Sequence, residues 1–415
     1  MKKLILPILT VCLFPLFSCH KDHVSGPIPI NDTLRLNLIS SEAGYSNLAQ
    51  FNVELIVSEP GGKVLLDTIT PGNTHISVAL ATNASTVDLT NIYATGVSSK
   101  LITITTYRGV NPANWAGDYN LSDQFPMGPW PAALLPDTLN YTNLPTVTYT
   151  LFSQNQFMPP GGYGEPSSPT ALTEEYPMLP GNYAYLLCST LGLYKMVIPS
   201  QTNQTIDCST MDTAATATFT PSSYYSYYSS TVNGYSDSNN LNTLLQLYFN
   251  EAILNNGLPQ LEYPTKNIQN YAVRGDFFHG TQEEAETYSV GPGINPNIVF
   301  PDPNAYSLGA TQNNQFSVAW NAAEPTYYKT FWLDSTINWT IYASPDSAAF
   351  NPIALLTAQK SKMLQGQDLT LLKLNYFQYG AVPGYDYAAY LGLVCDSTQL
   401  WKHPISGLVN YYKFF

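Results

Sequence analysis

From residue 31 onward, apolar side chains recur at every second position, and Gly, Pro, Asn or Asp interrupt the pattern roughly every 8–12 residues. Leu34-Arg35-Leu36-Asn37-Leu38 puts three leucines on one side of an extended chain, and Phe51-Asn52-Val53-Glu54-Leu55 repeats the device. Glu59-Pro60-Gly61-Gly62 then makes a turn, and residues 64–69 return as a hairpin partner. A chain of 415 residues written this way folds into sheets, with room for more than one unit. Charged residues make up only 11%, against roughly 25% in ordinary soluble proteins, yet the apolar share is a normal 44%. That balance excludes disorder. With 16 basic against 29 acidic residues, and arginine only at Arg35, Arg108 and Arg274, the chain has no footprint for nucleic acid.

The first residues do not share the alternation. Lys2 and Lys3 precede an apolar run from Leu4 to Phe17, with the length and charge of a signal peptide. The run ends in Leu16-Phe17-Ser18-Cys19, which resembles a bacterial lipobox. The resemblance implies removal of residues 1–18, lipidation (diacylglycerol and palmitate-type acylation) of Cys19, and a tether over 19–30. Several acyl chains on one residue anchor more firmly than one. Lys21-Asp22 is similar to the surface-export signal of Bacteroidota lipoproteins. Asp-Ser/Thr followed by a small or apolar residue resembles their O-glycosylation sequon, and it recurs at Thr33, Thr68, Thr138, Thr213, Ser335, Ser347 and Ser397. The same pairs also serve as turn and cap residues. The expected location is the outer membrane, lipid-anchored, on its periplasmic or surface face.

The chain divides into an N-terminal β-sandwich over 31–155 with a Pro- and Trp-rich loop at 109–145, and a small sandwich over 170–220. A Ser/Tyr/Asn-rich linker at 221–240 leads to a mainly-β domain over 241–415. Tyr176-Pro177-Met178-Leu179-Pro180-Gly181-Asn182-Tyr183 resembles the strand start of carboxypeptidase-regulatory-like and transthyretin-like sandwiches, and the first segment suits an immunoglobulin-like one. The expected fold class is mainly β, with tandem sandwiches and one or two short helices in the C-terminal third. Helical spacing of Leu241, Leu244, Leu245, Tyr248 and Ala252 predicts one helix, with a strand pair as the competing reading. Asn351-Pro352 opens a second, reaching about Met363. Residues 388–394 read as a strand.

Cys188 and Cys208 lie in neighbouring strand-like runs, and a bridge across a small sheet or buried free thiols both fit. For catalysis the inventory is thin. The richest polar stretch runs from Arg274 to Glu286, where Asp276, His279 and Glu283 are candidate metal ligands or a solvated turn. No nucleophile elbow, zinc-protease or phosphate-loop motif occurs, and no cofactor is implied. Aromatic residues are plentiful, with 31 tyrosines. Trp339 shares an apolar face with two isoleucines and reads as core. Trp115 and Trp130 in the Pro-rich loop, and Trp332 beside Asp334, read as exposed rings suited to stacking on a sugar. The expectation is a non-catalytic envelope protein that binds a glycan or a protein partner. An adhesin-like or pilus-like structural subunit, and a secreted hydrolase with a carboxylate or metal site near 274–286, are the alternatives.

Overall fold

The computed structural model describes residues 33–37, 52–71, 75–95, 101–111, 135–147, 149–153, 163–165, 171–178, 181–200, 203–220, 222–237, 244–253, 260–295, 300, 302–395 and 407–415. The first strands are β1 (Thr33–Asn37), β2 (Asn52–Ser58), β3 (Val64–Pro71), β4 (His75–Ala79), β5 (Val87–Thr95) and β6 (Leu101–Val110). Next come β7 (Leu135–Thr142), β8 (Tyr149–Ser153), β9 (Tyr163–Glu165), β10 (Ala171–Met178) and β11 (Ala184–Cys188). They are followed by β12 (Leu193–Val197), β13 (Gln204–Asp207), β14 (Asp212–Thr213) and β15 (Ala215–Thr218). The chain continues with β16 (Tyr227–Tyr235), β17 (Leu244–Ile253), β18 (Gln260–Tyr263), β19 (Asn270–His279) and β20 (Glu283–Gly291). Then follow β21 (Tyr306–Gln312), β22 (Gln315–Trp320), β23 (Tyr327–Leu333), β24 (Ile337–Ala343) and β25 (Ala349–Phe350). The last elements are α1 (Pro352–Gln359), β26 (Lys373–Ala381), α2 (Tyr387–Cys395) and β27 (Leu408–Phe414). The protein is mainly β, its sheets pack face to face, and the two α-helices among the described residues lie in the C-terminal third.

The dominant element is a 12-stranded sheet in the order β17-β16-β19-β20-β27-β26-β23-β24-β6-β5-β2-β3. All its pairings are antiparallel except β24 with β6, where Ile337 pairs with Ile102 and Tyr342 with Tyr107. That junction joins strands of the first 110 residues to strands that begin at Tyr227. The segments expected as separate N- and C-terminal domains therefore share one sheet and one core. The 221–240 segment is equally part of it: β16 is an interior strand, hydrogen-bonded to β17 and β19. Its small polar residues permit this, and Gly234 leaves the space that the Leu247 side chain fills, 2.7 Å from where a Cβ would stand.

Alternation gives the sheet two faces. On the inner face Ile104, Trp332, Trp339, Ile341, Phe377 and Tyr411 form a fully buried core with Phe316 of β22 and with Leu355 and Leu356 of α1. The three-stranded sheet β21-β22-β25 thus covers this face. On the other face, Leu55, Val57, Leu89, Tyr107, Tyr327 and Tyr342 pack with Tyr387, Tyr390 and Leu391 of α2. A separate sandwich forms from β10-β7-β13 and β14-β12-β11-β8-β9, with Leu139, Tyr141, Leu186 and Ile206 between the layers. It draws on residues 135–153 and on β9 as well as on most of the expected 170–220 segment, up to Thr213. Every residue of β11 is buried, because Tyr185 and Leu187 on its far side pack against β16, β17 and β19.

Local chemistry explains the correct and the missed elements alike. Gly62 closes the Glu59 turn in a left-handed conformation (φ 87°), and its N–H donates to the Glu59 carbonyl at 2.8 Å. Asn351 caps α1 by accepting from the Ala354 N–H at 2.8 Å. The helix stops short of Met363 because Lys360 turns left-handed and Glu54 takes the next two N–H groups, of Lys362 and Met363. The expected helix at 241–253 is instead β17: Leu245 and Leu247 are buried at period two. The expected strand at 388–394 is α2, capped by Asp386, which accepts from Ala389 N–H at 2.8 Å. Tyr387, Tyr390 and Leu391 then fall on one buried helical stripe.

Candidate functional site

The stretch from Arg274 to Glu286 is not a solvated turn. It is the β19–β20 hairpin, with Asp276 opposite Glu286 and Phe278 opposite Glu284. Side chains two residues apart share a face, so Arg274, Asp276, Glu284 and Glu286 all project to the face away from Trp332 and Trp339. β27, β26 and β23 extend the rows. One row runs Glu284, Tyr412, Gln378, Lys329, and continues through Tyr342 to Tyr107. A second runs Asp276, Glu286, Asn410, Gly380, Tyr327, and a third Phe414, Tyr376, Phe331.

The second row is a continuous hydrogen-bonded chain. Arg274 Nε lies 3.0 Å from Asp276 Oδ1 and 3.2 Å from Glu286 Oε1, so one guanidinium nitrogen bridges both carboxylates. Glu286 Oε2 accepts from Asn410 Nδ2 at 3.1 Å and from the Tyr412 hydroxyl at 2.8 Å. The Tyr327 hydroxyl donates to Asn410 Oδ1 at 2.7 Å, and Gln378 Nε2 donates to Tyr327 at 3.1 Å. Gly380 makes this possible: a Cβ there would stand 2.2 Å from the Tyr327 ring. Burial pushes the Tyr412 phenol well above its usual range, and Glu286 adds to the effect.

Two acceptors on this face are left over. Gln378 is 4% exposed, and its Oε1 has no partner among the described residues. Glu284 is half-buried and makes no hydrogen bond or ion pair to any described residue. Burial, then the charges of Asp276 and Glu286, push its carboxyl up to about 7, with Arg274 opposing. Asp276 is raised too, by burial first and by Glu286, again against Arg274. Around these groups stand half-buried rings. Phe331 stacks on Tyr376 at 5.1 Å, Tyr412 and Phe414 are parallel to within 10°, and Lys329 Nζ lies 5.2 Å from the Tyr342 centroid and 5.6 Å from that of Tyr376. Two residues along β20 and β27 from Glu286 and Asn410, Tyr288 and Leu408 line a cavity of about 850 Å³. Val290, Ile294, Glu324 and Tyr385 complete much of its wall.

The candidate metal ligands do not converge. Asp276 is on the charged face, whereas His279 and Glu283 close the hairpin toward the opposite one. Glu283 accepts from the Tyr224 hydroxyl and pairs with Lys413 at 3.2 Å. Burial raises its carboxyl, but hydrogen bonds from Tyr224, Tyr411 and Lys413 more than offset this and leave it lowered. His279 stacks on Tyr224 at 4.0 Å. Among the described residues no group of three or more His, Cys, Asp or Glu could hold a metal.

Trp332, expected at the surface, is fully buried, and its Nε1 donates to Thr330 Oγ1 at 2.9 Å. It pairs directly across from Trp339, so the two must share the inner face. Cys188 and Cys208 carry free, buried thiols rather than the bridge considered above. The chain changes sheets between them: β11 belongs to one layer of the small sandwich, and β13 pairs with β7 in the other. Burial pushes both thiols to about 11. Of the sequon positions, Thr213 and Ser335 are exposed, while Thr68, Thr138 and Ser347 are intermediate. Asp334, before Ser335, caps its turn by accepting from Ile337 N–H at 2.8 Å. Cys19, Trp115, Trp130, Ser397 and the side chain of Thr33 lie outside the described residues. The residues missed at the site are Glu284, Glu286, Phe331, Tyr376, Gln378, Asn410 and Tyr412. Their signal was period-two spacing, in Glu284-Ala285-Glu286 and in Asn410, Tyr412, Phe414.

No family model matches this chain, and no curated protein matches it. One solved structure it resembles is a Ca2+-stabilized adhesin that helps an Antarctic bacterium reach out and bind ice. The match covers 80% of this chain and 86% of that one at 8% identity, with a TM-score of 0.13. A likeness that slight carries no inference about activity.

Proposed function

We propose that this chain is a non-catalytic envelope protein, held to the outer membrane through lipidated Cys19, whose charged sheet face binds a glycan. The observation that carries the reading is the grouping of half-buried rings with unspent hydrogen-bonding groups on strands β20, β27, β26 and β23. These strands are interior, hydrogen-bonded on both sides, so they offer a ligand side chains and no free backbone edge. A peptide that recognises a sheet by adding a strand has nothing to pair with here. A polyhydroxylated ring, which carries its own donors and an apolar face, suits such a surface. The adhesin-like and hydrolase readings are weaker on this geometry. Arg274 Nε ties Asp276 and Glu286 into one ion triad, which favours a fixed acceptor surface over a nucleophile and acid pair.

The test is binding of the whole protein to a panel of oligosaccharides, with Tyr376→Ala and Phe414→Ala as controls. Binding that both variants abolish supports the reading; a panel with no binder overturns it. Membrane attachment has a separate test. Cys19→Ala is expected to release the protein from the membrane fraction, and continued attachment would contradict the anchor.

A further inference from the structure

Three carboxylates, Asp276, Glu284 and Glu286, face one guanidinium on this surface, and Glu284 has no donor of its own among the described residues. An independent feature points the same way. Gln378 is buried to 4% exposure on β26, in the same row and one strand beyond Tyr412, and its carbonyl oxygen is unpartnered. Leaving such an acceptor unmatched is costly unless something completes it. The row Glu284, Tyr412, Gln378 therefore holds an unpaired carboxylate and an unpaired amide oxygen on either side of a ring. Both lack donors, and one lacks a cation.

We infer that the glycan bound here carries a free amino group, its ammonium seated against Glu284 and its neighbouring hydroxyls donating to the amide oxygen of Gln378. The inference rests on the glycan reading above and specifies its ligand class. Charge decides in favour of an amine over a uronic acid. Arg274 is already spent on Asp276 and Glu286, and the lysines described on this side of β23 and β26 are away from Glu284: Lys329 lies beyond Gln378 among the Tyr342 and Tyr376 rings, and Lys373 at the far end of β26, opposite Leu333. The groups facing Glu284 are Arg274 and Asp276 on β19, Glu286 on its own strand and Tyr412 on β27. An arriving ammonium relieves their mutual repulsion and favours the ionised carboxylate.

The experiment compares the full chain's affinity for a glucosamine oligomer and for its N-acetylated form by titration calorimetry. Near neutral pH the free amine is expected to bind roughly tenfold tighter or more, as a charge-assisted contact does over a neutral one. Glu284→Gln, which keeps the side chain's size and removes its charge, should erase that preference and bring the two affinities together. Acidification toward about pH 5 should weaken amine binding in the wild-type chain, as Glu284 takes up its proton, and not in the variant. Equal binding of the two oligomers overturns the amine inference and leaves the glycan reading standing. Binding of neither, with binding of a lysine-rich peptide that Glu284→Gln abolishes, overturns both in favour of a basic peptide.

Discussion

The two faces of the 12-stranded sheet are built from the same kinds of residue and do opposite things. On the inner face the aromatic rings are sealed and many polar atoms bond one another, although Ser58 Oγ, Ser230 Oγ and Gln359 Oε1 have no partner among the described residues. Trp339 Nε1 donates to Thr106 at 3.0 Å, Thr106 and Thr90 share a hydrogen bond at 3.0 Å, and Gln359 of α1 donates to Thr90 at 2.9 Å. Glu54, with no exposed surface, accepts from Ser361 Oγ at 2.5 Å and from two backbone N–H groups. On the charged face, equally aromatic, Glu284 and the Gln378 oxygen are left unmatched. What distinguishes a core from a binding surface here is whether a ligand can reach the unmatched groups and rings, not how aromatic the face is: Glu284, Tyr376 and Tyr412 are half-buried, whereas Trp332, Trp339 and Gln359 are sealed.

The sharpest way to break the comparison is to cut into the sealed face. Trp339→Ala removes a ring with no exposed surface from a close-packed core and takes one hydrogen bond from Thr106, so it should cost about 3–5 kcal/mol. Urea unfolding would read this as a large fall in midpoint, and a shift under 1 kcal/mol would mean the face is loosely packed. Glu54→Ala comes next. It leaves the Ser361 hydroxyl and the N–H groups of Lys362 and Met363 without their acceptor in a buried place, at about 2–3 kcal/mol. Because Glu54 is on β2 and its donors follow α1, that loss should appear as early exchange of the 361–363 amides.

The charged face predicts the reverse sign. The Glu284 carboxyl is raised to about 7 from an ordinary 4.5, so between those values the folded chain holds a proton that the unfolded chain has released. The contribution of Glu284 is therefore fully present below pH 4.5 and is lost as pH rises through about 7. Glu284→Gln should remove that fall and make the protein more stable than wild type at pH 8 by about 1 kcal/mol, after discounting for solvent screening of a half-exposed group. Parallel stability–pH curves for the two chains would show that Glu284 is not crowded by its neighbours.

The division into faces was partly legible in the residues themselves. Ile337-Asn338-Trp339-Thr340-Ile341 reads directly as one buried and one open side, and the structure follows it. Trp332 was misread because Asp334, two residues on, suggested solvent. Asp334 in fact makes the turn that folds β23 back onto β24, and once the hairpin is closed Trp332 must stand across from Trp339. Pairing, a long-range fact, decides which of Phe331 and Trp332 is inward. The same holds for the site. Glu284-Ala285-Glu286 alternates visibly, but nothing local brings Tyr412, Gln378 or Lys329 beside it, since β27, which follows β20 by more than a hundred residues, brings β26 and β23 with it. Helix α2 escapes for a local reason: residues 388–394 are apolar enough to read as a strand, and the Asp386 cap that starts the helix lies just outside that run.

Phe331 supplies the smallest expected effect on stability and the most discriminating one. It is the sequence neighbour of Trp332, yet alternation places it among the half-buried rings, stacked on Tyr376. If the two faces differ as argued, Phe331→Ala costs about 1 kcal/mol or less in urea unfolding, a cross-strand aromatic contact rather than a core ring. Trp332→Ala should cost several times more. The order of consequences reverses in a binding assay: Phe331→Ala should weaken oligosaccharide binding while the folded chain persists. Equal destabilisation by the two substitutions would mean that both sides of β23 are core, and that the ligand surface must be sought at the cavity bordered by Tyr288 and Leu408 instead.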